Sequence, residues 1–166
     1  MINTQFVNNC LLLNGKSYDE VDCIGVIRKA LNIQCRGTNW LWRSYNNSSK
    51  YKYLVYRNNK IKVEDNLLPG SVVFKINWNV IPSGYDDKPN CYHIGVIGLK
   101  GNTVIHSSPS TGVREEKFSV FDWDAWGLMK QVEYTELVTT NIVNDLSDMS
   151  DRQLLEAIYR SLYSID

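Results

Sequence analysis

The chain changes its hydrophobic period once, near Leu67, and that switch limits the folds open to it. Before the switch, Ile2, Phe6, Val7, Cys10, Leu11 and Leu13 recur at helical spacing, which predicts an amphipathic helix over Ile2–Leu13. Asn14-Gly15-Lys16-Ser17 stops it and turns the chain. A second helix is predicted from Cys23 to near Asn32, with Val26, Ile27, Ala30 and Leu31 on one side and Asp22 as its N-cap. After the switch come β-branched and aromatic runs: Ser71–Ile76, Tyr92–Leu99, Thr103–Ser107, Val113–Val120 and Lys130–Tyr134 are predicted strands. Tyr92–Leu99 lacks clean alternation, as a strand buried on both faces would. Lys100-Gly101-Asn102 and Ser108–Gly112 are short turns between strands. Helices first and closely spaced strands afterwards define an α+β fold, with N-terminal helices packed on an antiparallel sheet.

Two stretches stand apart. Thr38–Lys60 reads as a loop-rich insertion with one short helix around Trp40–Tyr45. Its Trp40, Trp42, Tyr45, Tyr51 and Tyr53 fit either packing under a long loop or the wall of a substrate groove. Pro82–Asn90 is a surface loop, and Trp123 and Trp126 are expected to anchor the far side of the sheet. At the other end, Thr139–Ser150 is polar, and Leu155, Ile158, Leu162 and Ile165 mark a short amphipathic helix over Asp151–Ile165. The predicted organisation is a domain over 1–138 and a linker with a C-terminal helix over 139–166. That helix either packs on its own domain or supplies a partner or oligomer contact.

Lys+Arg and Asp+Glu balance at 18 each, so whole-chain attraction to nucleic acid or an anionic membrane has no support. No apolar stretch approaches the roughly 20 residues of a membrane span, and no signal peptide is visible at the N-terminus. The cysteines at 10, 23, 35 and 91 show no pairing pattern. Cys91-Tyr92-His93 lacks the second pair that a zinc site requires, so Cys10, Cys35 and Cys91 are expected to be buried structural thiols, with no metal and no organic cofactor.

Cys23 is different, because a thiol in the first turn of a helix feels the positive end of its dipole, which favours thiolate. The chain has just two histidines, His93 and His106, each in a strand-like run. Pairing of those runs around Lys100–Asn102 brings both rings to one face. A thiol, a base and an orienting group are what a thiol hydrolase needs. Each residue alone also fits ordinary packing.

In order along the chain, Asp22-Cys23-Ile24-Gly25-Val26-Ile27, Leu68-Pro69-Gly70-Ser71-Val72-Val73-Phe74, His93-Ile94-Gly95-Val96-Ile97-Gly98 and Ile105-His106-Ser107-Ser108 resemble the four signature blocks of the NlpC-type cell-wall cysteine peptidases, the NlpC/p-sixty family. The resemblance implies a papain-like fold with Cys23 as nucleophile, His93 as general base and acid, and His106 as the orienting third residue. It implies hydrolysis of amide bonds in the peptide stems of bacterial peptidoglycan, without cofactor. Delivery as a phage or prophage lysin would take such a cytoplasmically made chain to the cell wall. Asp22 matches an aspartate that holds the stem's free amine, although helix capping explains it equally. Tyr18 and Ile24 are the other expected substrate contacts. Ile24 replaces the family's usual serine, Ser71 replaces an aspartate, and the Tyr-x-x-Gly-Gly segment is absent. The alternative reading is a catalytically inactive module of the same fold that binds wall peptides or a protein partner.

Overall fold

Three helices cover one face of an antiparallel sheet, so the fold is α+β. The structure is a computed structural model that describes residues 1–44, 55–58, 60–62 and 67–135. Met1–Thr135 forms one compact unit. The predicted C-terminal helix over Asp151–Ile165, and Tyr45, Tyr51 and Tyr53, lie outside the described residues.

The helices are α1 (Asn3–Leu11), α2 (Cys23–Leu31) and α3 (Thr38–Ser44). Phe6, Val7 and Cys10 of α1 and Val26, Ile27 and Ala30 of α2 point into the main core, following the helical period. Asn32 ends α2 in the left-handed conformation, a role asparagine tolerates. The strands are β1 (Val55–Asn58), β2 (Val72–Asn77), β3 (Asn90–Ile97), β4 (Thr103–Ser108), β5 (Gly112–Lys117) and β6 (Ala125–Met129), in sheet order β1-β6-β2-β3-β4-β5. Strand parity divides the sheet into two buried faces. Val72, Phe74, Ile94, Val96 and Ile105 meet the helices. Val73, Ile97 and Val104 form a second cluster with Ile61, Leu67 and Trp123 on the opposite face. β3 is buried on both faces from Ile94 to Ile97, whereas Tyr92 nearer its start is exposed.

Two predictions are corrected. The last strand is Ala125–Met129, and Lys130–Tyr134 makes only an isolated bridge between Glu133 and Ile2. Tyr134 is spent differently: its hydroxyl donates to the Gly70 carbonyl and accepts from the Met129 N–H. The Thr38–Lys60 insertion also contributes β1, which pairs with β6 at the sheet edge. Its Trp42 is a core residue, edge-on to Phe74 at 5.1 Å, which favours packing over a groove for that ring. Among the described residues, no helix is long and apolar enough to cross a membrane.

Candidate active site

The first turn of α2 is built by Asp22 and Gly25 together. Asp22 Oδ1 accepts from the Gly25 N–H at 2.6 Å, the N-cap expected of it. A Cβ on Gly25 would stand 2.6 Å from that same oxygen, so the glycine leaves space for the cap. Capping thus accounts for one carboxylate oxygen, and the other makes no hydrogen bond among the described residues. Asp22 and Tyr18 also line an open cavity of about 390 Å³ beside α2, with Arg28, Asn32 and Gln34. Neither Cys23 nor a histidine lines that cavity, so it meets the site only through Tyr18 and Asp22.

Cys23 is 7% exposed. Its sulfur lies 3.8 Å from the Thr38 hydroxyl at the start of α3. Burial pushes the thiol above its ordinary range; the Thr38 hydrogen bond opposes that, the Asp22 charge adds to it, and the Ile24 and Ile94 N–H groups lower it. The net shift is upward because desolvation outweighs the local donors, which opposes the favoured thiolate expected from the helix terminus. The Ile94 N–H thus places the sulfur against the backbone of β3. Burial and the neighbouring Cys23 and Asp22 raise the Tyr18 phenol, placing it on the sulfur's flank. Ile24 is 5% exposed within the helix–sheet core, and its N–H faces the Cys23 sulfur.

The histidines meet on the sheet face away from the helices. The β3–β4 ladder spans only Val96↔Ile105 and Ile97↔Val104. Beyond it His93 Nε2 and His106 Nδ1 are 2.9 Å apart, with the rings perpendicular. His106 Nε2 is 2.7 Å from Glu116 Oε1, and Arg114 Nη2 is 2.5 Å from Glu116 Oε2. No hydrogen bond joins Cys23 to His93, and His93 Nδ1 has no hydrogen-bond partner among the described residues. Such contacts are often long before substrate binds. Trp123 stacks on His93 at 5.6 Å and meets His106 edge-on at 5.9 Å. The Lys75 ammonium lies 5.0 Å from the Trp123 ring. Burial, then His106 and Lys75, push His93 down to about 4, with Glu116 opposing. Burial raises the Glu116 carboxyl, but His106 and Arg114 outweigh it and the net shift is downward.

No protein-family model and no curated protein matches the chain. Among solved structures it is similar to the NlpC/p60 domain of peptidoglycan hydrolase SagA, with 19% identity and a TM-score of 0.44 over 76% of this chain and 98% of that one.

Three residues of the site were not foreseen: Glu116, Trp123 as a ring against both histidines, and Thr38. Glu116 had a signal in the sequence. The short Ser108–Gly112 turn closes a hairpin in which His106 faces Arg114, and strand parity then puts Glu116 on the same face. Thr38 opens the short helix α3 and Trp123 follows an irregular turn, and neither position has a periodicity long enough to report direction.

Proposed function

We propose that this chain is a cysteine peptidase or amidase that hydrolyses amide bonds in the peptide stems of bacterial peptidoglycan, with Cys23 as nucleophile, His93 as base and acid, and His106 as the orienting group. The observation that carries the reading is the His93–His106–Glu116 hydrogen-bond chain, in a chain that also places a cysteine in the first turn of a capped helix. The substrate class comes from the motif resemblance. Tyr18 and Asp22 are its proposed contacts, the free Asp22 oxygen suiting an ammonium group.

Burial disfavours both the thiolate and the imidazolium, so the resting pair is thiol and neutral imidazole. His93 takes the thiol proton as sulfur bonds to the carbonyl carbon, and the carbonyl becomes an oxyanion. The Cys23 N–H, unpaired at the helix start, and the Thr38 hydroxyl are the proposed donors to that oxyanion. The C–N bond then breaks as His93 protonates the leaving amine. Water, deprotonated by His93, cleaves the thioester and regenerates the thiol.

The experiment is digestion of purified peptidoglycan, with the released muropeptides read by mass spectrometry. New amine and carboxyl ends should appear with the wild type and be absent with Cys23→Ala, whose circular dichroism should be unchanged. Equal cleavage by Cys23→Ala would end the proposal. A second reading, a binding module without turnover, is favoured by the buried thiol and the missing Cys23–His93 hydrogen bond. It predicts muropeptide binding without cleavage by the wild type.

A further inference from the structure

The hydrogen-bond chain ends on a carboxylate that the hydrolase reading does not itself require. Glu116 is on β5, diagonal to His106 across the β4–β5 ladder, where Val104 pairs with Glu116 and His106 with Arg114. Its two oxygens have separate partners: Oε1 faces His106 Nε2 at 2.7 Å, and Oε2 faces Arg114 at 2.5 Å. A carboxylate only accepts and a guanidinium only donates, so each end of this chain has one polarity.

From the geometry we infer that Glu116 is a positioning residue that sets the tautomers of both histidines and leaves His93 Nδ1 as the bare, proton-accepting nitrogen. The carboxylate requires the proton on His106 Nε2. A neutral His106 then has a lone pair on Nδ1, which accepts from His93 Nε2–H at 2.9 Å. A neutral His93 protonated at Nε2 carries its lone pair on Nδ1, the nitrogen without a hydrogen-bond partner among the described residues. Two rings thus transmit the polarity of one carboxylate from β5 to β3. Trp123, stacked on one ring and edge-on to the other, limits their freedom to turn out of line. The catalytic meaning of this inference rests on the hydrolase reading; the tautomers themselves do not.

Glu116→Gln gives a test with an uncommon signature. Arg114 needs an oxygen before it, so the amide oxygen takes the Oε2 place and the NH₂ faces His106 Nε2. That donor reverses the chain. His106 becomes protonated at Nδ1, His93 accepts at Nε2, and His93 Nδ1 carries the hydrogen and is lost as a base. Glu116→Ala merely removes the constraint. The glutamine variant should therefore be the more damaged of the two, with kcat/KM lowered on the order of 10³-fold or more, the scale of a wrong-tautomer histidine. Arg114→Met in the Glu116→Gln background frees the amide to turn its oxygen to His106 and should restore activity to at least the Glu116→Ala level.

Because the chain has two histidines, ring ¹⁵N NMR at pH 8 reads the tautomers directly, without substrate. Nε2–H on both rings of the wild type and Nδ1–H on both rings of Glu116→Gln is the expected result. An unchanged His93 tautomer in Glu116→Gln overturns the inference, as does a glutamine variant more active than Glu116→Ala. If the wild type cleaves no amide, the hydrolase reading fails, while the NMR arm still decides the role of Glu116.

Discussion

Gly95→Ala tests whether the imidazole pair is held by packing as well as by hydrogen bonds. Gly95 lies two residues after His93, on the same face of β3, and pairs with Val73 of β2. A Cβ there would stand 2.6 Å from Val104 Cγ2 and 2.8 Å from Trp123 Cη2. Neither neighbour yields easily. Val104 is 1% exposed with a stiff β-branched side chain, and Trp123 is 6% exposed against both histidines. Overpacking of this kind costs about 1–3 kcal/mol. The backbone of Gly95 is not left-handed, so alanine also recovers about 0.4–1 kcal/mol of unfolded-state entropy. The net destabilisation is about 1–2 kcal/mol, a fall in Tm of about 4–10 °C for a unit of this size. Urea unfolding followed by tryptophan fluorescence should show a lower midpoint with an unchanged slope. The indole can relieve the clash only by sliding off His93, so kcat should fall more than KM rises. A midpoint at or above wild type would refute the reasoning, since Trp123 would then not be held where the stacking of His93 requires it.

Two further outcomes test the electrostatics. His93 is held at about 4 in the folded chain against an ordinary 6.5, so between those pH values the unfolded chain binds a proton that the folded chain refuses. Stability contributed by neutral His93 is therefore complete above pH 6.5 and lost as pH falls toward 4. The stability difference between wild type and His93→Gln should shrink across that window in urea melts, and a pH-independent difference contradicts a buried neutral ring. Thr38→Val removes the hydroxyl that lowers the Cys23 thiol. It should slow alkylation of Cys23 by iodoacetamide at pH 8 and reduce kcat on the order of 10²-fold; unchanged alkylation would remove Thr38 from the site.

The sequence was most legible where one period governed a whole element. Asp22 and Cys23 were readable because capping is local, and the shared face of His93 and His106 because strand parity is strict. Lys130–Tyr134 differs from the strand expected because the alternation of Gln131, Val132, Glu133 and Tyr134 resembles a strand whether its backbone pairs or not. Here Ala125–Met129 takes the ladder, between β1 and β2. Glu116 looked like one charge among several on an exposed strand. Its role depends on the β4–β5 register, which the short Ser108–Gly112 turn signals, and on Arg114 fixing its second oxygen, which has no local signature. The burial of the thiol is illegible for a related reason. A helix terminus is visible in the letters, whereas 7% exposure is a property of what packs around it.

In the proposed mechanism, that burial fits a carboxylate set one ring away from the base, behind His106. A carboxylate directly on His93 would favour imidazolium at rest, and beside a desolvated sulfur it would favour the thiol still more strongly. Placing Glu116 behind His106, partly exposed and neutralised by Arg114, lets it dictate hydrogen-bond polarity while burial, His106 and Lys75 keep His93 unprotonated. Under the proposed mechanism the Glu116 charge would act most once His93 had taken the thiol proton, because the new imidazolium would be linked to the carboxylate through a single neutral ring. The sheet keeps the two halves of the chemistry on opposite faces. The helices bring the sulfur to the Ile94 N–H, and the far face holds the two imidazoles beyond the end of the β3–β4 ladder.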